Sequence, residues 1–465
     1  MDPEIPVRSG GGVAWLDRHY LFLVTVLLLL VYMFTYFGLN QLPIRDDGAG
    51  YYAYLPSLLL YGDPSFETDA RAHYGGEFPR WTYVRRYPPT GRYLNSLNIG
   101  VSVMTAPFFV AGHALTYWFG WPWKGGWPWM EMRYPPDGYS MFYQHAAGLA
   151  GLFYSLIGLV LWKRLLARRF SKGVVLATMT ALLLGTNLLN YVAAETVHAH
   201  SFTFFLAAAL MTLTEAWYER PGRLQVSLAL GAVAALLFLV RQLNVLVLLW
   251  VPLYGIVGRR DVGARAVFFL KNGRDIAVMG LTAFAVMIPQ FLMWKYSSGH
   301  FIVKAYQHMG ASSFGSPQVL DVLFGVYKGL FVWFPIFVPA VLGILCLKGP
   351  AAAYRLPVIV IFAVYILAIS SLKIWTSAGG FGNRYVVDTV ILMGFPLAAF
   401  FSSLSSRWTR RTVAVIVLLC IFQALFLLTL LYRREMTFYG LDAQGFFDVF
   451  WWRKESLVNW LRTRF

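Results

Sequence analysis

The chain has 465 residues, 58% of them apolar and 13% charged, with a formal net charge of +17. Soluble domains carry roughly a quarter charged residues, so this composition, with a mean hydropathy of +0.57, excludes an ordinary water-soluble enzyme and implies an all-α polytopic membrane protein. Cys346 and Cys420 are the only cysteines and both lie in apolar runs, which excludes a disulfide framework and a cysteine zinc site.

The basic excess does not indicate nucleic acid, because it gathers in short connections between apolar runs, as the positive-inside rule predicts for cytoplasmic loops. Residues 1–12 are polar and no small-residue cleavage site follows a short apolar core, so 21–39 reads as a retained first span. Arg8 and Arg18 precede it, which places the N-terminus in the cytoplasm. The next connection, 40–140, is long and neutral, with eight Lys/Arg and eight Asp/Glu. Within it, 97–119 is apolar enough to suggest a span. It also carries Gly100, Pro107, Gly112 and His113, and counting it as a crossing would put Lys163, Arg164, Arg168, Arg169 and Lys172 outside. It is therefore expected as an interfacial helix of a large external loop. Trp121, Trp123, Trp127 and Trp129 are expected at headgroup depth.

Later spans are expected at about 141–162, 174–192, 200–217, 225–240, 244–257, 276–294, 323–347, 356–372, 385–405 and 412–432, about eleven crossings in all. The inside loops are then 163–173, 218–223, 258–275, 348–355 and 407–411, holding 17 Lys/Arg between them. The run 224–257 is split at Arg241 chiefly because parity requires it. Residues 1–432 read as one transmembrane module. The tail 433–465, with Trp451, Trp452 and Trp460, reads as an external amphipathic helix.

Three external constellations could carry chemistry. Asp46 and Asp47 follow the first span in Ile44-Arg-Asp-Asp-Gly-Ala-Gly-Tyr-Tyr-Ala-Tyr-Leu-Pro56. A carboxylate there can accept the proton of an attacking hydroxyl, and Gly48 and Gly50 would let backbone approach a substrate, with Tyr51 beside it. The alternative is a solvated loop capping a helix that starts near Tyr51. Next, Ala194-Glu-Thr-Val-His-Ala-His200 places Glu195, His198 and His200 outside. Glu195 and His198 are three apart and would share a helical face, flanking a site with Asp47 or sharing a cation. Polar residues satisfied locally at a helix end are the plainer reading. Third, Lys373-Ile-Trp-Thr-Ser-Ala-Gly-Gly-Phe-Gly-Asn-Arg-Tyr385 puts a glycine-rich turn between Lys373 and Arg384, suited to a phosphate. Interfacial snorkelling is its alternative. Arg85, Arg86, Lys304, His308 and Lys328 are single external cations, and Arg86 and Lys328 join the candidate substrate-binding set. Arg241, inside an apolar run, must reach the outer surface or an anion within the bundle.

Together these pieces resemble the GT-C superfamily of membrane glycosyltransferases, which includes protein O-mannosyltransferases and aminoarabinose transferases. The run from Asp47 to Pro56 resembles a bacterial branch, as do Gly185-Thr-Asn-Leu-Leu-Asn-Tyr191 with Glu195 and His200, and Gly329-Leu-Phe-Val-Trp-Phe-Pro335. The resemblance implies transfer of a sugar from a polyprenyl-phosphate or polyprenyl-diphosphate donor, with inversion, to a hydroxyl of a glycan, lipid or protein. It implies a bacterial inner or plasma membrane location with the site on the periplasmic face. Asp47 is the implied catalytic base, with Asp46 second and Glu195 the acid of the second outer loop. Some branches bind a divalent cation (Mg or Mn) with such acids. Here the set would be Asp47, Glu195 and His198, one acid and two histidines in the second loop standing where the family has two acids. A lipid-glycan flippase or a non-catalytic membrane subunit is the competing reading. The absence of an evident repeat and of mid-membrane charges other than Arg241 argues against the flippase.

Overall fold

A computed structural model describes residues 11–120, 135–303, 315–377, 379–436 and 446. The tryptophans at 121–129, Lys304, His308 and nearly all of the 433–465 tail lie outside these residues. The chain divides into two compact units, Met1–Leu176 with Tyr191–Gln307 and Pro350–Pro357, and Ala177–Asn190 with His308–Gly349 and Val358–Phe465.

The described residues are mostly helical, with one short β-hairpin, and the chain is an all-α polytopic membrane protein. Helices α1 (Gly11–Met33), α2 (Asp47–Tyr52) and α3 (Glu67–Tyr74) come first, then a hairpin of β1 (Val84–Arg86) and β2 (Tyr93–Asn95) that pairs Arg85 with Leu94. There follow α4 (Gly100–Leu115), α5 (Met141–Ala167), α6 (Lys172–Leu184), α7 (Ala199–Glu219), α8 (Leu224–Val240), α9 (Trp250–Leu253), α10 (Arg259–Lys271) and α11 (Gly273–Ser298). The last six are α12 (Val319–Phe324), α13 (Leu330–Trp333), α14 (Phe337–Leu342), α15 (Arg355–Ser370), α16 (Val390–Ser403) and α17 (Arg407–Tyr432). Among the described residues six helices are long and apolar enough to cross a membrane: Gly12–Gly38, Met141–Ala167, Gly273–Ser298, Gly349–Ser370, Arg384–Ser403 and Arg407–Tyr432. Shorter apolar helices span Lys172–Leu184, Leu224–Val240, Gln242–Leu253 and Phe337–Cys346. Large apolar side chains such as Phe22, Leu281, Phe284, Leu418 and Phe422 stand exposed on α1, α11 and α17, where lipid in place of water removes the cost.

In the first unit, ion pairs fix which helix ends lie together. Lys163 near the end of α5 pairs with Asp17 near the start of α1 at 2.8 Å, and Lys172 reaches the same carboxylate at 3.2 Å. At the opposite ends, Tyr32 of α1 meets His145 of α5 at 3.1 Å. The two helices are antiparallel, so the connection between them leaves and returns at one face. A full crossing by 97–119 would break that parity, and α4 is not among the six long apolar helices. The remaining helices follow the same rule. Arg168 after α5 pairs with Glu215 and Glu219 at the end of α7, at 2.8 and 2.7 Å. Asp275 at the start of α11 accepts from Trp217 Nε1 and from the Gly222 amide that precedes α8. This end is the basic one.

The other end carries the first loop. Asn98 donates to the Phe238 carbonyl of α8, the Ile99 amide donates to Gln290 of α11, and Thr90 donates to the Ser297 carbonyl. Gly100 sits where a Cβ would strike the Leu239 and Val240 backbone, so only glycine admits this approach. The loop has a core of its own. Ala53, Tyr54, Phe66, Phe78, Val84 and Tyr93 pack with Leu239 and Met293 from the helix ends, and each buried aromatic contributes up to about 1.5–3 kcal/mol.

The split at Arg241 is real. Helix α8 ends at Val240, Arg241 is extended, and a 3-10 helix, Gln242–Leu249, leads back toward the basic end through α9. There Tyr218 of α7 donates to the Val251 carbonyl. Asn244 braces the reversal by donating to Thr203 at 2.8 Å and to the Leu237 carbonyl.

In the second unit, the single span expected at 323–347 is broken into α12, α13 and α14 with a 3-10 turn at Gly343–Cys346. Gly325, Gly329 and Pro335 interrupt it, and at Gly329 a Cβ would collide with the Gly325 backbone. Gln423 of α17 donates to the freed Val332 carbonyl at 2.6 Å, satisfying a backbone group that the break exposes.

Candidate active site

The first-loop acids open a short helix. Asp46 precedes α2 with φ 49° and ψ −136°, a conformation costly for a residue with a side chain, and makes no side-chain cap. Asp46 is exposed, while Asp47 is half-buried in the first turn of α2. The neighbouring glycines do not face a substrate, contrary to the expectation from sequence. A Cβ on Gly50 would strike the Thr82 carbonyl, and one on Gly48 would lie 3.3 Å from His198 Cδ2 and 3.4 Å from Val197 Cβ. Their small size lets α2 seat against the protein itself. Asn95 reinforces this seat by donating to the Gly50 carbonyl at 2.7 Å, and Ser102 donates to the carbonyl of Tyr51. Tyr51 is buried.

The contact at Gly48 brings the second constellation to the first. Ala49 and Tyr52 of α2 share a buried cluster with Val197, so the acid turn and the 195–198 turn pack together. Glu195 and His198 do not share a helical face as expected. They close a turn in which the His198 amide donates to the Glu195 carbonyl, and His198 then precedes α7 with an extended backbone. The pairing itself is present: His198 Nδ1 lies 3.3 Å from Glu195 Oε2, with the two side chains 6% and 7% exposed. On the same ring, Nε2 is buried with no hydrogen-bond partner. A buried polar atom left unpaired costs about 1–3 kcal/mol. His200 is also buried, its ring 4.6 Å from that of Tyr191.

Tyr36, Ser201 and Gly151 immobilise the turn. Tyr36 donates to the Ala194 carbonyl at 2.8 Å, and Ser201 donates to the Tyr191 carbonyl at 2.6 Å. Gly151 of α5 lies directly under Thr196, whose carbonyl carbon would be 2.7 Å from an added Cβ. Arg241 is buried at the same end of the unit, where α8 abuts Gly100.

The candidate cation set fails on donor chemistry. Among the described residues no three His, Cys, Asp or Glu side chains gather so as to hold a metal ion. Glu195 is engaged with the Nδ1 of the histidine that would have been its co-ligand. No step is derived through a cation. Arg86 is likewise engaged elsewhere, in a two-point pair with Glu67 at 2.7 and 3.1 Å and over the Tyr93 ring at 4.5 Å. The bond to Glu67 comes first among the causes that raise the Arg86 pKa.

In the second unit the glycine-rich loop gathers two other quoted motifs. Asn187, from Gly185-Thr-Asn-Leu-Leu-Asn-Tyr191, donates to the carbonyls of Phe381 and Asn383 at 3.4 and 3.2 Å. Phe334, from Gly329-Leu-Phe-Val-Trp-Phe-Pro335, stacks edge-on to Phe381 at 5.5 Å. Gly382 has φ 60° and would place a Cβ 2.6 Å from the Phe334 ring, so both its backbone and its neighbour demand glycine. Ser377, at φ 61°, accepts from the Arg384 amide. Arg384 is buried and Lys373 exposed. Lys328, read from sequence as an isolated external cation, is fully buried and donates to the Gly380 carbonyl at 3.2 Å. Desolvating a lysine is costly, and this one belongs to the loop. Asp388, four residues beyond Arg384, accepts from Tyr365 at 3.0 Å. Sequence reasoning passed over Asp388, Ser377 and Asn187, because their partners are supplied by segments distant in the chain.

No protein-family model matches the sequence, and no curated protein matches it. Among solved structures, the chain is similar to ArnT from Cupriavidus metallidurans in the apo state, with a TM-score of 0.51 and 15% identity over 86% of this chain. It spans 63% of that protein's length. ArnT from the same organism bound to undecaprenyl phosphate gives a TM-score of 0.49 and 14% identity, over 89% of this chain and 72% of that one. The apo likeness shows the fold alone, which is that of ArnT.

Proposed function

We propose that this chain is an integral membrane glycosyltransferase that moves a hexosyl or pentosyl group from a polyprenyl-phosphate-linked donor to an acceptor hydroxyl at the external membrane face. The observation that carries the reading is the packing of the Asp46–Asp47 turn against the Glu195–His198 turn, at the helix ends opposite the basic ones, in a chain with the ArnT fold. A transporter does not need an acid turn seated by hydrogen bonds from Asn95 and Ser102 at one end of its helices.

In the proposed reaction Asp47 takes the proton of the acceptor hydroxyl, and the oxygen attacks the anomeric carbon from the side opposite the phosphate. The bond from that carbon to the phosphate oxygen breaks, its electron pair leaves with the lipid phosphate, and the configuration inverts. Lipid phosphate is a good leaving group, so no separate strong acid is needed. In the second unit, the buried Arg384 and Lys328 and the glycine-rich loop offer positive charge and backbone N–H groups suited to a phosphate. Lys373, being exposed, is assigned to the lipid headgroup region. The positive-inside rule puts the basic helix ends in the cytoplasm and the acid turns on the periplasmic side of a bacterial inner membrane.

Mass spectrometry of lipid that co-purifies with the protein tests the donor. A polyprenyl phosphate, free or sugar-linked, is the expected species. Its absence from preparations that retain ordinary phospholipid would remove the lipid-linked donor from the account.

A further inference from the structure

The orphaned nitrogen of His198 has no role in the reaction just described, and its placement is specific. Glu195 Oε2 lies 3.3 Å from Nδ1, so a ring hydrogen on that nitrogen faces the carboxylate and leaves Nε2 as the acceptor. The ring's Cδ2 edge, with Nε2 as the next atom, is turned to Gly48, the residue that follows Asp47. The side chain is 6% exposed, and Nε2 has no hydrogen-bond partner. Tyr36, Ser201 and Gly151 hold the turn in place, so the ring cannot swing away to find one.

We propose that Nε2 of His198 receives a substrate hydroxyl, with Glu195 as the positioning residue that sets the tautomer. The proposal rests on the transferase reading. It also sharpens that reading through a count of protons. A hydroxyl has one hydrogen, and the reacting hydroxyl gives its hydrogen to Asp47. The hydroxyl held by His198 is therefore a second, non-reacting one, and the substrate class is a polyhydroxylated group, a sugar or polyol, bearing hydroxyls close together. A site that hydrogen-bonds a hydroxyl discriminates strongly against the analogue lacking it, because the protein atom is then left unpaired.

The test uses the full chain, labelled with 15N-histidine, in nanodiscs of phosphatidylcholine and phosphatidylglycerol. The resonance absent from H198Q identifies Nε2, and E195A should move it toward the protonated-Nε2 tautomer while E195Q holds it. Methyl glycopyranosides are the probes. The expected result is a shift of that resonance with the fully hydroxylated glycoside and none with at least one of its monodeoxy analogues. A resonance unmoved by every glycoside, or moved equally by all, overturns the proposal. In transfer assays on protein that elutes as a single folded species, H198F should raise KM roughly ten- to a hundredfold, and H198Q, whose amide oxygen can accept the same bond, should recover most of it. H198F with wild-type kinetics is a second way to overturn it. The two readings separate cleanly: a responsive Nε2 in a protein that transfers no sugar keeps the hydroxyl site and ends the transferase reading. Transfer by a protein whose Nε2 is unresponsive does the reverse.

Discussion

Replacing Gly151 with alanine should damage activity out of proportion to stability. An alanine Cβ at this position of α5 would sit 2.7 Å from the Thr196 carbonyl carbon, whereas ordinary contact begins at 3.4 Å. The 195–198 turn must therefore retreat by about 0.7 Å at that carbon and by more at its oxygen, which lies nearer still. The rest of the wall cannot take up the strain, because Tyr36 already holds the Ala194 carbonyl at 2.8 Å. Overpacking of this kind costs about 1–3 kcal/mol, which should lower the melting temperature of the detergent-solubilised protein by a few degrees. A displacement approaching 1 Å in a group that must be aligned with a reacting atom can cost about a hundredfold in rate. Transfer of sugar from a lipid-linked donor, measured beside a fluorescence-detected melt, checks both figures. Gly280 of α11 is the control: it has open space around its would-be Cβ, so G280A should leave transfer unchanged and hold or slightly raise the melt. Wild-type transfer and an unshifted melt in G151A would refute the claim that the turn is rigidly seated.

Removing Arg168 leaves Glu215, 1% exposed, with the Tyr354 hydroxyl at 2.8 Å in place of its cation. Because Arg168 is itself 38% exposed, R168A should cost roughly 1–3 kcal/mol, less than a fully buried pair would. E219A, at the 60% exposed partner, should barely move the melt; equal melts for the two variants would contradict this. Asp261 accepts the amides of Gly258 and Val257, and these bonds, that of Gly258 first, hold its carboxyl below the usual range. A lowered folded pKa means that the cap stabilises α10 above the unfolded value, about 3.9, and that this is lost as pH falls through the lower folded value. Amide exchange at residues 257–258 should be slower in wild type than in D261N at pH about 6, with the difference shrinking as pH falls through the folded pKa of Asp261; identical exchange at the higher pH would contradict the cap.

How much could be read in advance depended on whether the signal was local. Loop charge located the reversal at Arg241, because the basic connections had to share a side and the run 224–257 could not otherwise return. Hydropathy averaged over Gly325, Gly329 and Pro335 and so mistook the broken α12–α14 stretch for a single span. Glycine showed only that something approaches closely. At Gly50 the approaching group is the Thr82 carbonyl, 32 residues away in sequence. Glu195 and His198 were rightly placed together, yet their bond to one another removes Glu195 from the proposed cation set. Lys328 looked like a stray surface charge because Gly380, the group that accepts its hydrogen bond, lies 52 positions onward. Arg86 looked available because Glu67 precedes it by 19.

Release of polyprenyl phosphate from a polyprenyl-phosphate sugar, by purified wild type and by D47N, tests the role of the acid turn most directly. The account predicts release by wild type and a loss of about a hundred- to ten-thousandfold in D47N, with an unchanged melt and the same co-purifying lipid. Wild-type release from a well-folded D47N would contradict it.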